Sequence, residues 1–297
     1  MQTRPTTYTY GDNARRRKAR RGLTIYFAIV VVLSALFEGM AINRPDIDGP
    51  FIAGLMLVPT IASVVARLVL HEGFSDVSFR FGGRRGGKAI VQALIFPLVI
   101  GFVAYGAAWT TGLAQFDPPP LGGLVAVFVG GLIVSLVLVS GEEIGWRGYM
   151  LTRLIDSGVP RPVFASGLIW ALWHVPLVLA GVYAAGPSPV ISAVLLVVAI
   201  TSFGYVIARM RLETGSVWPA IVLHTAWNSI IIRGFDLATT GTGAMLWVGE
   251  SGILTTLALL AAAVAFSRGR WTILRKPPER PKGPAQQEGV EVLPRAQ

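Results

Sequence analysis

Apolar residues occur in long, nearly uninterrupted runs, and not in the alternating pattern of a half-buried strand. A helix needs about 20 apolar residues to cross the hydrocarbon core of a bilayer. Runs of about this length lie at residues 22–41, 51–70, 88–112, 121–145, 162–183, 188–209, 215–233 and 244–266. The pattern predicts an all-α polytopic membrane protein with eight transmembrane helices.

Composition supports the same class. Of the 297 residues, 53% are hydrophobic and only 14% are charged, whereas soluble proteins carry about 25% charged residues. The mean hydropathy is +0.60. Cysteine is absent, which excludes disulfides and thiolate metal sites.

The distribution of basic residues predicts the orientation. With the N-terminus in the cytoplasm and eight spans, 24 of the 26 Lys and Arg residues lie on the cytoplasmic side, leaving only Arg44 and Arg233 outside. This bias is the positive-inside pattern of a multi-pass plasma membrane protein, here with both termini cytoplasmic. The net charge of +10 then reflects topology and an affinity of the basic tails for anionic lipid headgroups. We therefore expect no nucleic-acid binding.

Three regions follow from these patterns. Residues 1–21 are predicted to be a basic cytoplasmic tail, residues 22–266 a transmembrane domain, and residues 267–297 a disordered basic cytoplasmic tail. The C-terminal region is polar and rich in proline, a composition that cannot form a packed core.

A few polar residues interrupt the spans, and such residues mark function by default because their insertion is costly. They are Glu142 and Glu143 near the cytoplasmic end of the fourth span, His174 in the fifth, and His224 with Asn228 in the seventh. The chain has only three histidines, so two of the three lie within spans.

Other residues in the spans receive a structural interpretation. Glu38 and Glu250 are isolated in the first and eighth predicted spans, and we expect them to be structural or interfacial. Trp170, Trp173 and Trp227 lie at helical spacing and, taken alone, are predicted to fill the core.

Helical spacing brings the polar residues into register. Glu143 and Arg147 are four residues apart with the acid first, the favourable order for an ion pair on one helix face. His224 and Asn228 also share a face. With a rise of about 1.5 Å per residue, Glu142 and His174 both lie ~18 Å from the cytoplasmic ends of their helices, and His224 lies ~14 Å deep. Spans four, five and seven are thus predicted to form one polar layer.

A carboxylate, an imidazole and a further pair of donors suit hydrolysis by an activated water. A serine nucleophile is less supported, because neither Ser140 nor Ser229 lies in a nucleophile-elbow motif. A zinc protease is an alternative, since two histidines and a glutamate can hold zinc. The HExxH spacing is absent, however, and Asn228 would be a poor ligand.

At these residues the chain resembles the CPBP family of intramembrane proteases, also called the type II CAAX prenyl endopeptidase or abortive-infection family. The family motif EExxxR is matched by Glu142-Glu143-Ile-Gly-Trp-Arg147, and FxxxH by Trp170-Ala-Leu-Trp-His174 with tryptophan in place of phenylalanine. The third motif, HxxxN, is matched by His224-Thr-Ala-Trp-Asn228. The resemblance covers about residues 120–232.

The resemblance implies a role for each matched residue. Glu142 would be the general base on water, assisted by His174, while His224 and Asn228 would stabilise the oxyanion. Glu143 and Arg147 would hold the fourth helix in place, with Trp170 in support. No cofactor is expected, because an amide stands where a metal site would favour a carboxylate; zinc is the alternative.

The family also suggests a membrane-associated peptide or protein as substrate, with CAAX-type C-terminal processing as one form of the reaction. The rival functional class is a non-enzymatic membrane scaffold or bacteriocin-immunity protein, in which the polar cluster only joins helices. A transporter is disfavoured, since the chain has no repeated half.

Overall fold

The computed structural model describes residues 10–184, 186 and 188–268. Long helices dominate this part of the chain. They are α1 (Tyr10–Asn43), α2 (Asp48–Val69), α3 (Gly83–Thr111), α4 (Leu121–Gly145), α5 (Leu151–Ser157), α6 (Pro162–Leu179), α7 (Pro189–Thr214), α8 (Trp218–Trp227), α9 (Ala244–Trp247) and α10 (Ile253–Arg268). A 3-10 turn, Pro45–Ile47, joins α1 to α2, and β1 (Gln115–Phe116) pairs antiparallel with β2 (Thr239–Thr240). The predicted all-α membrane class is confirmed.

Two π-helical segments interrupt the pattern. The first, Trp146–Met150, connects α4 to α5 into one continuous 37-residue helix, and the second, Asn228–Phe235, continues α8. Wide π turns are rare and occur frequently at functional sites. Both segments adjoin predicted site residues, since Arg147 lies in the first and Asn228 opens the second.

Within the described residues, six helices are long and apolar enough to cross a membrane. They correspond to the first six predicted spans. The seventh predicted run, 215–233, contains α8 and the second π-helical segment, which are not among these six helices. The eighth prediction, 244–266, is wrong in detail, because α9 ends at Trp247 and α10 begins only at Ile253. Gly249, with a φ of 84°, lies in the turn between them.

Part of the predicted N-terminal tail is helical. The predicted N-terminal tail, 1–21, is helical from Tyr10 onward, and Ala19 is buried within it. The first helix therefore extends beyond its apolar run toward the basic residues. The predicted disordered tail, 267–297, lies outside the described residues beyond Arg268.

Close helix packing around the site depends on glycine. A Cβ atom on Gly145 would lie 2.3 Å from the carbonyl carbon of Pro59, so only glycine lets α4 approach α2 this closely. Similarly, a Cβ on Gly204 of α7 would lie 2.9 Å from the Cα of Gly167 on α6. Small residues at such crossings allow the backbones of membrane helices to meet.

The two ends of the bundle are closed by different contacts. At one end, Arg153 pairs with Glu72 at 2.7 Å and with Asp76 at 2.8 Å, and Arg15 pairs with Asp156 at 2.7 Å. This charged cluster joins the start of α1, the α2–α3 loop and α5. All three segments were predicted to lie on one side of the membrane.

At the other end, the β1–β2 pair joins the α3–α4 connection to the segment after Phe235. Tyr105 donates a hydrogen bond to Asp236 and accepts one from the backbone N–H of Gly249 at 3.0 Å. Burial raises the pKa of Asp236 to about 7. The α3, α8 and α10 ends are thereby fastened together.

Many apolar side chains remain exposed on the outside of the bundle. On α4, Ile133 and Val137 are each more than 60% exposed, and Phe102 of α3 is 65% exposed. An exposed apolar surface of this extent marks contact with lipid or with another apolar partner. It agrees with the membrane class derived from composition.

Candidate active site

Glu143 lies at the centre of a buried charged cluster. Its Oε1 atom is 2.8 Å from Nη1 of Arg147 and 2.9 Å from Nδ1 of His224. Glu143 and Arg147 are fully buried, and His224 is nearly so. The predicted i,i+4 ion pair is present, and it extends to a second helix through His224. Buried charges are tolerated only when they are paired in this way.

Arg147 also contacts the aromatic ring of Trp170. The guanidinium carbon lies 4.2 Å from the ring centroid, a cation–π geometry that is stronger where water is excluded. Trp170 therefore links the α4 motif to α6. Gly204 makes room for both side chains, since a Cβ there would approach Arg147 to 3.2 Å and Trp170 to 3.3 Å.

Glu142, the residue before Glu143, has a different hydrogen-bond partner. Its Oε2 atom accepts a hydrogen bond of 3.0 Å from Nε1 of Trp170, and the side chain is 2% exposed. Its Oε1 atom has no hydrogen-bond partner among the described residues. One oxygen is thus fixed by the indole, and the other is available to a ligand or a water.

The orientation of His174 follows from one backbone contact. Its Nδ1 atom lies 2.8 Å from the carbonyl oxygen of Trp170, one helical turn earlier. A carbonyl only accepts, so Nδ1 must carry the proton in this contact. In the neutral imidazole, Nε2 then holds the lone pair.

Asn228 is positioned by its backbone. Its N–H donates to the carbonyls of His224 and Thr225, and its own carbonyl accepts a bond of 3.1 Å from Arg233. Arg233 in turn donates to Ser135 of α4 at 2.9 Å. The side-chain amide makes no hydrogen bond to another described residue, so both of its N–H donors are available.

A cavity of about 100 Å³ brings the predicted residues together. It is lined by Glu142, His174, His224 and Asn228, in addition to apolar residues of α2 and α6. Spans four, five and seven thus meet in one polar layer, as their spacing indicated. Glu143, Arg147 and Trp170 lie behind it, where they contact its lining residues.

Three residues around this cavity were not recognised as site residues in the sequence. Tyr183 lies in the loop after α6, and its ring stacks on His174 with centroids 5.4 Å apart. Its hydroxyl donates to Glu250, which also accepts a bond of 2.8 Å from Nε1 of Trp227. The interpretation of Glu250 as an isolated residue is therefore wrong. Trp227 is buried in the hydrophobic core, as predicted, and in addition donates to Glu250. Helical spacing could not reveal these contacts, because Tyr183 and Glu250 lie in loops.

Glu38 stays apart from the cavity. It is 8% exposed, and its Oε1 atom has no hydrogen-bond partner among the described residues. Trp173, in contrast, lines the cavity and donates at 2.7 Å to Ser34, which lies on the same helix as Glu38.

The donor set suits a metal ion poorly. Within residues 10–184, 186 and 188–268, no three His, Cys, Asp or Glu side chains are grouped closely enough to hold a metal ion. Asn228 supplies an amide where zinc favours nitrogen, sulfur or carboxylate ligands. The absence of a metal cofactor therefore stays a prediction, which the chelation experiment below tests.

Residues 124–230 match the family model described as type II CAAX prenyl endopeptidase Rce1-like. The chain carries an Rce1-like domain. This match confirms the family indicated by the three motifs, all of which fall within the matched range. A comparison with curated proteins finds no match. The match points to a membrane-bound protease, and so to a hydrolase.

Glu250 lies outside the matched range of the Rce1-like domain, whereas Tyr183 and Trp227 lie inside it. A residue outside the matched range therefore contacts Tyr183, which lines the cavity, and Trp227 beside it.

Proposed function

We propose that the protein is an intramembrane endopeptidase in which Glu142 and His174 activate a water for attack on a peptide bond. The observation that carries this proposal is the single cavity lined by Glu142, His174, His224 and Asn228. The family supports proteolysis in general, and these four side chains supply the groups that hydrolysis requires.

In the first step, Oε1 of Glu142 takes a proton from water while the water oxygen bonds to the peptide carbonyl carbon. The carbonyl π electrons move to its oxygen and form an oxyanion. His174 accepts a hydrogen bond from the water at Nε2, since Nδ1 donates to Trp170. The carbon–nitrogen bond then breaks, and the proton held by Glu142 passes to the leaving amine.

The oxyanion is stabilised from the α8 side. Nδ1 of His224 contacts the carboxylate of Glu143, and the ring also lines the cavity. In the imidazolium form both ring nitrogens carry a proton, so Nε2 can donate to the oxyanion while Nδ1 donates to Glu143. The amide of Asn228 supplies a second donor. Two donors aimed at a developing negative charge are the usual form of an oxyanion hole.

The substrate is proposed to be a membrane-associated peptide or protein, including one with a CAAX-type C-terminus as in the family name. Apolar residues Ile52, Leu55 and Met56 of α2 also line the cavity. They offer an apolar wall to the residues around the scissile bond. Whether a prenyl group is recognised is tested by comparing prenylated and unmodified peptides.

The direct test is cleavage of a peptide library by the purified protein in lipid nanodiscs, with the products identified by mass spectrometry. Cleavage that is lost in the Glu142→Gln variant supports the enzyme. A protein that folds and cleaves nothing in the library, prenylated peptides included, favours the alternative of a membrane scaffold or immunity protein.

Trp170 offers a prediction specific to this chain, because the family motif has phenylalanine at this position. Trp170→Phe keeps an aromatic ring under Arg147 but removes the donor to Glu142. We expect kcat to fall about tenfold, since the base is less well oriented, with KM little changed.

The matched control for Trp170 is Trp109→Phe. Trp109 also donates from its indole N–H, at 3.2 Å to Thr239, but at the end of the bundle away from Glu142. This control should retain the wild-type rate. Equal rates for Trp170→Phe and wild type would show that the indole does not orient the base.

Metal independence is a second prediction. Because Glu142 and His174 are proposed to polarise water directly, extended chelation followed by desalting should leave the cleavage rate unchanged. Elemental analysis should find no stoichiometric zinc. Loss of activity that zinc alone restores would instead make the histidines and a glutamate metal ligands.

A third prediction concerns orientation, with both termini and the charged cluster around Arg153 in the cytoplasm. Single cysteines give an unambiguous labelling map, because the chain has none of its own. Ser75→Cys in the α2–α3 loop should be protected from an impermeant maleimide in intact cells, and Thr242→Cys beside β2 should react. The reverse pattern would invert the topology.

Binding of the basic tails to anionic lipids is proposed on charge alone. Seven Lys or Arg residues fall within residues 1–21 and seven more from Arg268 onward. Their attraction to an anionic leaflet should weaken with salt. Nucleic-acid binding is not part of the proposal.

A further inference from the structure

Glu250 joins three separate parts of the chain next to the cavity. It lies in the turn between α9 and α10, and its side chain points inward. Its Oε2 atom accepts a hydrogen bond from the Tyr183 hydroxyl, and its Oε1 atom accepts one of 2.8 Å from Nε1 of Trp227. Each carboxylate oxygen therefore has its own donor, one from the α6–α7 loop and one from α8.

The first of these contacts reaches His174. The ring of Tyr183 stacks on the His174 imidazole with an interplanar angle of 29°, while the rings of Trp170 and Trp173 meet the imidazole edge-on at 5.5 and 5.0 Å. Tyr183 is held in this stack at its far end by Glu250. If the hydroxyl is released, the ring is free to rotate away from His174.

The second contact reaches the oxyanion side. Trp227 directly precedes Asn228 at the start of the second π-helical segment. Its ring packs on Phe203 of α7 with centroids 4.6 Å apart, and its N–H is directed at Glu250. Together these contacts fix the turn that presents His224 and Asn228.

A second cavity, of about 20 Å³, lies between these groups and is lined by His174, His224, Tyr183, Trp227 and Glu250. A space of this size accommodates one water molecule. Besides the two histidines, Tyr183 and Glu250 are the ionisable side chains that line this cavity.

We propose that Glu250 is a positioning residue, which holds His174 through Tyr183 and holds Asn228 through Trp227. This inference rests on the proposed function of the cavity and adds a residue outside the matched family domain. Through these two contacts one carboxylate fixes the position of His174, which is proposed to activate water, relative to Asn228, which is proposed to stabilise the oxyanion.

Glutamine cannot replace this carboxylate fully. In the Glu250→Gln variant the amide oxygen would accept one hydrogen bond, but the NH₂ group would face the other donor. We expect Glu250→Gln to lower kcat by about 10–10²-fold, as small displacements of catalytic groups do, with KM within about twofold of wild type. Tyr183→Phe keeps the stacked ring and loses only the hydroxyl, so its kcat should fall about tenfold.

The double variant Tyr183→Phe/Glu250→Gln shows whether the two residues affect kcat through one shared contact or independently of each other. If Tyr183 acts through Glu250, the double variant should have the same kcat as Glu250→Gln alone, because coupled residues are not additive. A product of the two single effects would overturn this part of the proposal.

Ser251→Ala is the matched control for simple loop anchoring. Ser251 is buried beside Glu250 and donates to the carbonyl of Ala184 at 2.7 Å. It therefore fastens the same two loops but touches neither His174 nor Trp227. We expect Ser251→Ala to lower the melting temperature slightly and to leave kcat unchanged. A loss of kcat equal to that of Tyr183→Phe would overturn the proposal in favour of anchoring.

A spectroscopic readout is independent of activity. With ¹⁵N-histidine labelling the protein contains only three labelled residues, of which His71 lies away from the cavity at the charged end. Tyr183→Phe should shift or broaden the His174 signals and leave His71 unchanged. Unchanged signals together with an unchanged kcat would refute the positioning role.

Two further variants keep the result interpretable. If Glu250→Gln fails to fold, Tyr183→Phe and Trp227→Phe each remove one donor and test the two contacts separately. If Glu142→Gln is inactive while both of these retain wild-type kcat, the proposed function stands and this inference is wrong. If Glu142→Gln is fully active, the proposed function is wrong, and the His174 signals alone decide the positioning role.

Discussion

Replacing Glu142 by glutamine is expected to lower the rate of peptide hydrolysis by ~10²–10⁴-fold, the usual contribution of a general base. The substitution keeps the size of the side chain and keeps an oxygen that can accept the bond from Trp170. It removes the group that takes the proton of the attacking water. Folding should therefore be retained, which is checked by size-exclusion profile and melting temperature.

The matched control for Glu142 is Glu38→Gln. Glu38 is also buried, but it lies on α1 away from the cavity, and its Oε1 atom has no partner among the described residues. This control introduces the same chemical change in the same bundle and should leave the rate at the wild-type value. If Glu142→Gln had wild-type activity, the polar cluster would be structural and Glu142 would not be the general base.

Glu143 should behave differently from its neighbour. It shares one oxygen between Arg147 and His224 in a fully buried cluster. Breaking such a cluster leaves an uncompensated charge and costs about 3–5 kcal/mol of stability. We attribute to this ion pair a mainly architectural role, in which it holds the His224 ring at the cavity.

The spans of this protein could be predicted well because hydropathy is a local property of the chain. The errors occur where tertiary contacts decide the structure. The eighth run breaks at Gly249, where the turn allows Glu250 to reach inward toward Trp227. The first helix continues to Tyr10, and on this extension Arg15 pairs with Asp156 of α5, a partner 141 residues away along the chain.

The motif residues were also predictable, because i,i+4 spacing fixes a shared helix face whatever the tertiary structure. The hydrogen bond from Trp170 to Glu142 was not, although both residues lie in motifs. It depends on the approach of α6 to α4. Tyr183 carried no signal at all, since a loop tyrosine becomes informative only when its partners, His174 and Glu250, are placed beside it.

Asn228 is the residue that best separates an enzyme from a membrane scaffold. Its backbone is held by Arg233 and by the turn of α8, whereas its side-chain amide lines the cavity without a partner among the described residues. An amide that only joined helices would be expected to contact another helix. If Asn228 only connected helices, its side chain would contribute little to the stability of the bundle, because hydrogen bonds within membranes average about 0.6 kcal/mol.

Asn228→Ala is therefore expected to lower kcat by ~10²–10³-fold, the cost of removing one oxyanion donor, while KM and melting temperature change little. The small stability effect follows from the backbone contacts, which alanine retains. Asn228→Asp restores size but places a carboxylate beside the forming oxyanion, so it should not recover the rate. Turnover and melting temperature are measured together for both variants. If turnover merely follows stability across them, the amide is structural, and the oxyanion must be stabilised by His224 alone.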